Sequence, residues 1–131
     1  MEKKMKKYIL LYGFNQFNSE QIRQAFALRN YKVVNVEEEK YNWKIGELIE
    51  EFEPEENHGE PLDIPGKMVV ISGIEKEEVE DFFAILMNTT GKLSYHKAVV
   101  TDTNVHWTSA RLFVEVDREY KEIRRMKKFR K

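Results

Sequence analysis

The sequence predicts an α/β fold: two pseudo-repeated β-α-β-α units sharing one four-stranded sheet covered by helices. Three observations predict it. Two short apolar runs, 8–14 and 68–74, carry a glycine at the same place, Gly13 and Gly73. An amphipathic stretch and a second β-rich run follow each of them. Each unit then has a polar turn and a lone tryptophan, Trp43 or Trp107, opening a further apolar pattern. Superposing the two tryptophans also sets Leu48 on Leu112, Val36 on Val100 and Val34 on Ala98.

The elements follow in order. Tyr8 to Phe14 is short, apolar and rich in aromatic and branched residues, which suits a buried strand. Asn18 or Ser19 is the expected cap of the first helix, with Ile22, Phe26 and Arg29 along one side and Ala25 beside them. Tyr31 to Val36 is the next strand. Trp43 then opens a helix carrying Ile45, Leu48, Ile49 and Phe52. The second unit repeats the pattern. Its first strand is Met68 to Ile74. Val79, Phe82, Phe83 and Leu86 form a stripe opposite Glu77, Glu78, Glu80 and Asp81, and Gly91 is the expected C-cap. Tyr95 to Thr101 is a strand, and Trp107 opens a helix with Ala110, Leu112, Phe113 and Val116. Both tryptophans are expected to be mostly buried and to hold these second helices.

The predicted organisation is a single domain over 1–131. The first unit spans 8–52, an acidic linker 53–67, the second unit 68–117 and a basic extension 118–131. The linker holds prolines, a glycine and several acids, so it is expected to be exposed and mobile. Two strands are too few for a stable sheet, so the units must share one. Within each unit the strands should be parallel, joined by a right-handed crossover. Whether the units meet parallel or antiparallel is left open.

Composition narrows the function classes. The chain has 131 residues, 41% hydrophobic and 34% charged, enough for a packed core. No apolar run approaches the roughly 20 residues of a membrane helix. The basic start is followed by too short an apolar run for a signal peptide. With no cysteine there is no disulfide, thiolate metal site or cysteine nucleophile. A soluble, cytoplasmic protein is expected. The net charge of −1 hides an asymmetry: residues 1–7 carry +3 and 118–131 carry +6, leaving −10 for 8–117. Basic ends of this kind are solvated, fold back on the acidic body, or bind nucleic acid or an acidic protein.

In the second half, Lys97-Ala-Val-Val-Thr101 leads through Asn104 to Trp107 and Thr108. With the strand Val69 to Gly73, this resembles a bacterial family of small domains of unknown function, numbered 3783. The resemblance covers roughly residues 68–122. The first half matches loosely: Trp43 is present, but Val33, Glu37, Lys40 and Lys44 stand in place of Lys97, Thr101, Asn104 and Thr108. The resemblance implies no activity and no catalytic residues.

Lys97, Thr101, Asp102, Asn104, His106 and Thr108 gather where a strand end meets a helix start, an edge that suits anions or small ligands. The competing reading is a helix cap, Thr103 or Asn104, beside a packing tryptophan, and it is preferred. His58, His96 and His106 lack metal-ligand spacing, so neither a metal nor a cofactor is expected. Ser72 lacks the surrounding glycines of a nucleophile elbow. The tail is read as a continuation of the last helix, with Tyr120, Ile123, Met126, Lys127 and Phe129 as a thin stripe. Arg124, Arg125, Lys127, Lys128 and Arg130 are its candidate contacts for a partner or nucleic acid. The leading functional expectation is non-catalytic: binding an unknown protein or a second copy. RNA or ribosome association through the basic ends is the alternative. A ligand site or enzyme near Asn104 comes third.

Overall fold

A computed structural model describes residues 4–129 of the chain. The elements run β1 (Tyr8–Tyr12), α1 (Gln16–Ala25), β2 (Lys32–Asn35), α2 (Ile45–Leu48), β3 (Met68–Ser72), α3 (Val79–Thr90), β4 (His96–Val99) and α4 (Ser109–Phe129). One four-stranded sheet has the order β2-β1-β3-β4. β1 and β2 are parallel, as are β3 and β4, while β1 and β3 join antiparallel. The join puts Leu10 beside Val70, the two residues that superposing Gly13 on Gly73 also matches. The outer strands share a register: Leu10 pairs with Val34, and Val70 with Ala98. A second join lies above the sheet. Lys44 and Thr108 form an antiparallel bridge. The Ile45 N–H donates to Trp107 O at 2.9 Å, and the Ser109 N–H to Trp43 O at 3.2 Å.

Every residue of β1 and β3 is buried, because both faces of the sheet are covered. On one face Ile9, Leu11, Val69 and Ile71 meet Ile22 and Phe26 of the α1 segment and Phe82 and Leu86 of α3. Phe26 stacks on Phe82 at 4.4 Å. On the other face Tyr8, Leu10, Tyr12, Met68 and Val70 meet Ile45, Ile49, Leu112 and Phe113. Tyr12 ties this layer to the start of α4 through a buried hydroxyl contact with Ser109, 2.7 Å long.

Local boundaries differ from expectation in three places. Asn15, not Asn18 or Ser19, caps α1: its Oδ1 accepts from the Asn18 N–H at 2.7 Å. Ser19 instead lies buried, its hydroxyl donating to Asn15 O and to Asn35 Oδ1. The helix also ends at Ala25 and passes through a tight turn, Ala27–Arg29, to a left-handed Asn30. α3 meets expectation, with Gly91 at φ +64° and its N–H on Met87 O.

The largest difference is α2, a single turn where a longer helix is expected. Glu50 turns left-handed at φ 61°, and the N–H groups of Glu51 and Phe52 both return to Gly46 O. Phe52 folds back so closely that a Cβ at Gly46 would stand 2.3 Å from its ring. Pro54 follows and has no N–H to extend a helix.

The linker is largely exposed but not loose. The Asn42 amide donates to the carbonyls of His58, Gly59 and Glu60, and Ile64 is buried. The His58 ring stacks on Trp43 at 4.3 Å, 6° from parallel. Asn42 and Trp43, on the first unit, thus hold a segment whose composition signals mobility.

Candidate functional site

The structure divides the predicted strand-edge residues: Lys97, Thr101 and Asn104 line a cleft of about 290 Å³ beside Trp107, while Asp102, His106 and Thr108 lie outside its lining. Lys97 pairs with Val69 on the sheet face opposite the helical ends, and its ammonium lies over Phe83 at 5.5 Å. Asn104 is buried, and its neighbours use all its polar atoms. Its Oδ1 accepts from the Thr101 N–H at 2.8 Å, its Nδ2 donates to Val99 O at 3.1 Å, and its own N–H donates to Thr101 Oγ1. It closes the turn after β4. Neither it nor Thr103 caps α4. That role falls to Thr108, whose Oγ1 accepts from the Arg111 N–H at 3.1 Å. Asp102 is exposed, and His106 stacks on Phe52 at 5.2 Å. The polar atoms of Asn104 are thus committed to the turn itself.

Both tryptophans are only partly buried. Each faces a cation, Lys40 over Trp43 at 4.9 Å and Arg111 over Trp107 at 4.3 Å. Their backbone carbonyls, accepting across the second join, tie the units together.

Two histidine–carboxylate contacts escaped the sequence reading. Glu47 is buried and accepts from the Lys44 N–H, the Glu55 N–H and His58 Nε2, at 2.7–2.9 Å. Burial alone would push its carboxyl up, but the hydrogen bonds from Glu55, His58 and Lys44 outweigh this and hold it below the usual range. His96 Nε2 meets Asp117 Oδ1 at 2.9 Å, and Lys121 meets the other oxygen at 2.9 Å. The hydrogen bonds from Lys121 and His96 lower the Asp117 carboxyl. These groups line a cleft of about 400 Å³ with Tyr120 and Lys67. They lie near the start of β4, whereas Ser72 ends β3 about 13 Å further along. The Ser72 hydroxyl donates to Lys6 O. Histidine, aspartate and serine therefore form no nucleophile constellation. Among the described residues no three of His, Asp or Glu cluster to hold a metal.

What stands apart is the end of α4. The helix packs on β4 through Leu112, Phe113 and Val116, then continues past the sheet. Every side chain from Arg118 to Lys127 is exposed. Tyr120, Ile123 and Met126 are 50–55% exposed, and Tyr120 and Ile123 continue the face that is buried earlier in the helix. Around them stand Arg118, Lys121, Arg124, Arg125 and Lys127. Three of these cations are paired within the helix: Arg118 with Glu115, Lys121 with Asp117 and Arg125 with Glu122. Of the predicted tail contacts, Arg130 lies outside the described residues. The other basic end is tied to the body: Lys4 pairs with Glu75, the Lys6 ammonium donates to Glu50 O and that of Lys7 to Arg29 O.

Comparison with known proteins reaches the second half. Residues 67–123 match the family model of a domain of unknown function, DUF3783. No curated protein and no solved structure matches the chain. The DUF3783 match begins just before β3 and ends on the exposed part of α4, at Ile123. It covers the stretch in which the sequence resembles that family, and leaves β1, α1, β2 and α2 outside. No described helix is long and apolar enough to cross a membrane.

Proposed function

We propose that the chain is a non-catalytic protein-binding module and that the end of α4 is its contact element. The observation that carries this is the exposed apolar stripe Tyr120–Ile123–Met126: Tyr120 still meets the His96 ring edge-on, and Ile123 and Met126 follow on a helix that has passed the sheet. Burying such a stripe is favourable at about 25 cal/mol per Å² of apolar surface, and the flanking cations favour an acidic partner. RNA binding is the weaker reading, because at the other basic end Lys4, Lys6 and Lys7 are tied to the body of the chain. The satisfied turn around Asn104 weakens a ligand site there.

The test is a tagged pull-down from the native host with the full chain and with Ile123→Asp as baits, with and without nuclease. The reading expects a nuclease-resistant partner, retained by the wild type and lost by the variant. Equal retention by both baits, or no partner on either, contradicts it. A partner lost only on nuclease treatment transfers the role to RNA.

A further inference from the structure

We infer that the end of α4 docks on a second copy of this chain, in the groove over β2 that the short α2 leaves open. The inference rests on the protein-binding reading and names its partner.

The groove follows from the difference between the two units. Over β4, α4 lays Leu112, Phe113 and Val116 against the sheet and buries Ala98 and Val100. The corresponding surface over β2 has only the single turn of α2, because the chain reverses at Glu50. The result is a groove of about 520 Å³ with Tyr8, Val34, Trp43 and Leu48 among its walls. Val34 is partly exposed, whereas its counterpart Ala98 is buried. The sheet thus presents, on one edge, the kind of surface that a helix covers on the other.

Two further observations select the occupant. The first is charge. Residues 37–56, which border the groove, hold nine glutamates and two lysines, while 118–127 hold five cations and two glutamates. Glu37, Glu47 and Glu50 stand at the groove itself beside Lys32 and Lys40, with Lys32 at 3.8 Å from Glu50, so the acidic excess lies mainly in the segment around it. An amphipathic basic helix therefore meets an apolar groove bordered by an acidic segment. The second is reach. α4 is one continuous helix packed on β4, at the opposite edge of the sheet from β2; Tyr120 and Lys121 still line the cleft beside His96, but from Glu122 to Lys127 every side chain is exposed, and none of them lines the groove over β2. Each copy thus offers one helix end and one groove, and a two-fold pair satisfies both at once. Two contacts also double the buried area, towards the roughly 1,600 Å² of a standard stable interface.

The test is a charge swap read by analytical ultracentrifugation of the full chain. One variant carries Arg124→Glu and Lys127→Glu on the helix; the other carries Glu37→Lys and Glu50→Lys at the groove. All four positions are exposed, so circular dichroism should show the wild-type fold. The wild type is expected to be a concentration-dependent dimer. Each variant alone should dissociate at least about tenfold more readily, since like charges then face each other. A mixture of the two should pair again, because each helix end then meets a groove of opposite charge. A wild type that stays monomeric at every concentration overturns the inference. So does a dimer that ignores both swaps, or a mixture that fails to pair. None of these results touches the pull-down outcome for Ile123→Asp, so the protein-binding reading stands or falls separately.

Discussion

The two halves of the molecule share strand register and differ in cover. In the second half, α4 runs on for 21 residues and lays Leu112, Phe113 and Val116 over β4. In the first, α2 stops after 4 residues and the linker folds back over Trp43. The same strand pairing thus yields a closed core on one side and a partly open groove on the other. Strand pairing is set by short apolar runs, whereas cover is set by where a helix ends. That end is decided by a few residues, here Glu50, Phe52 and Pro54.

The sharpest way to probe the difference is a pair of matched truncations. Leu112, 2% exposed, and Leu48, partly exposed, occupy equivalent places. Leu112→Ala should cost about 3 kcal/mol and Leu48→Ala about 1 kcal/mol, read by urea unfolding. Equal losses would mean that the first half is as well covered as the second. The glycines form a second pair. A Cβ at Gly73 would stand 2.7 Å from Met5 O at φ +76°, whereas one at Gly13 would find its nearest atoms at 3.4 Å. Gly73→Ala should therefore cost about 2–3 kcal/mol and Gly13→Ala about 1 kcal/mol. Similar values would contradict the close approach of the N-terminal segment to β3.

Smaller effects separate the two turns after the outer strands. Asn104→Ala leaves a buried turn unsatisfied and should cost about 2 kcal/mol. The equivalent Lys40→Ala, at an exposed site, should change stability by less than about 0.5 kcal/mol. A negligible Asn104 effect would remove the closed-turn account. Glu47→Gln should cost about 1–2 kcal/mol near neutral pH. The folded carboxyl is held below its ordinary value of 4.5, so the unfolded state takes up its proton first. The stabilisation is full above that value and disappears as pH falls through the folded one. The wild-type advantage over Glu47→Gln should shrink on acidification. An advantage unchanged down to pH values well below 4.5 would contradict the assignment.

Much of the fold was legible in the sequence. The apolar runs gave the four strands, and the parallel pairing followed from the crossover each unit needs. The antiparallel join was not legible, since Leu10 and Val70 pair through backbone groups that any residue carries. The length of α2 was not legible either. Ile45, Leu48, Ile49 and Phe52 have helical spacing, yet Phe52 reaches Gly46 through a reversal and not through a further turn. The candidate site was read less well. Asn104 carries a polar type that suits both a ligand and a turn, and its three internal hydrogen bonds, which favour the turn, are not visible in the sequence. Glu47 and His58, or His96 and Asp117, are too far apart in sequence for spacing to reveal their pairing. The tail was legible as an amphipathic basic helix, because that property belongs to the helix alone.

The most direct test of the account follows the methyl groups of Val34, Leu48 and Ile123 by NMR as the full chain is diluted. The account predicts that these three shift together with concentration, while Leu112 and Val70, already covered by their own chain, stay fixed. Signals from Val34, Leu48 and Ile123 that stay in place from dilute to concentrated solution would contradict it.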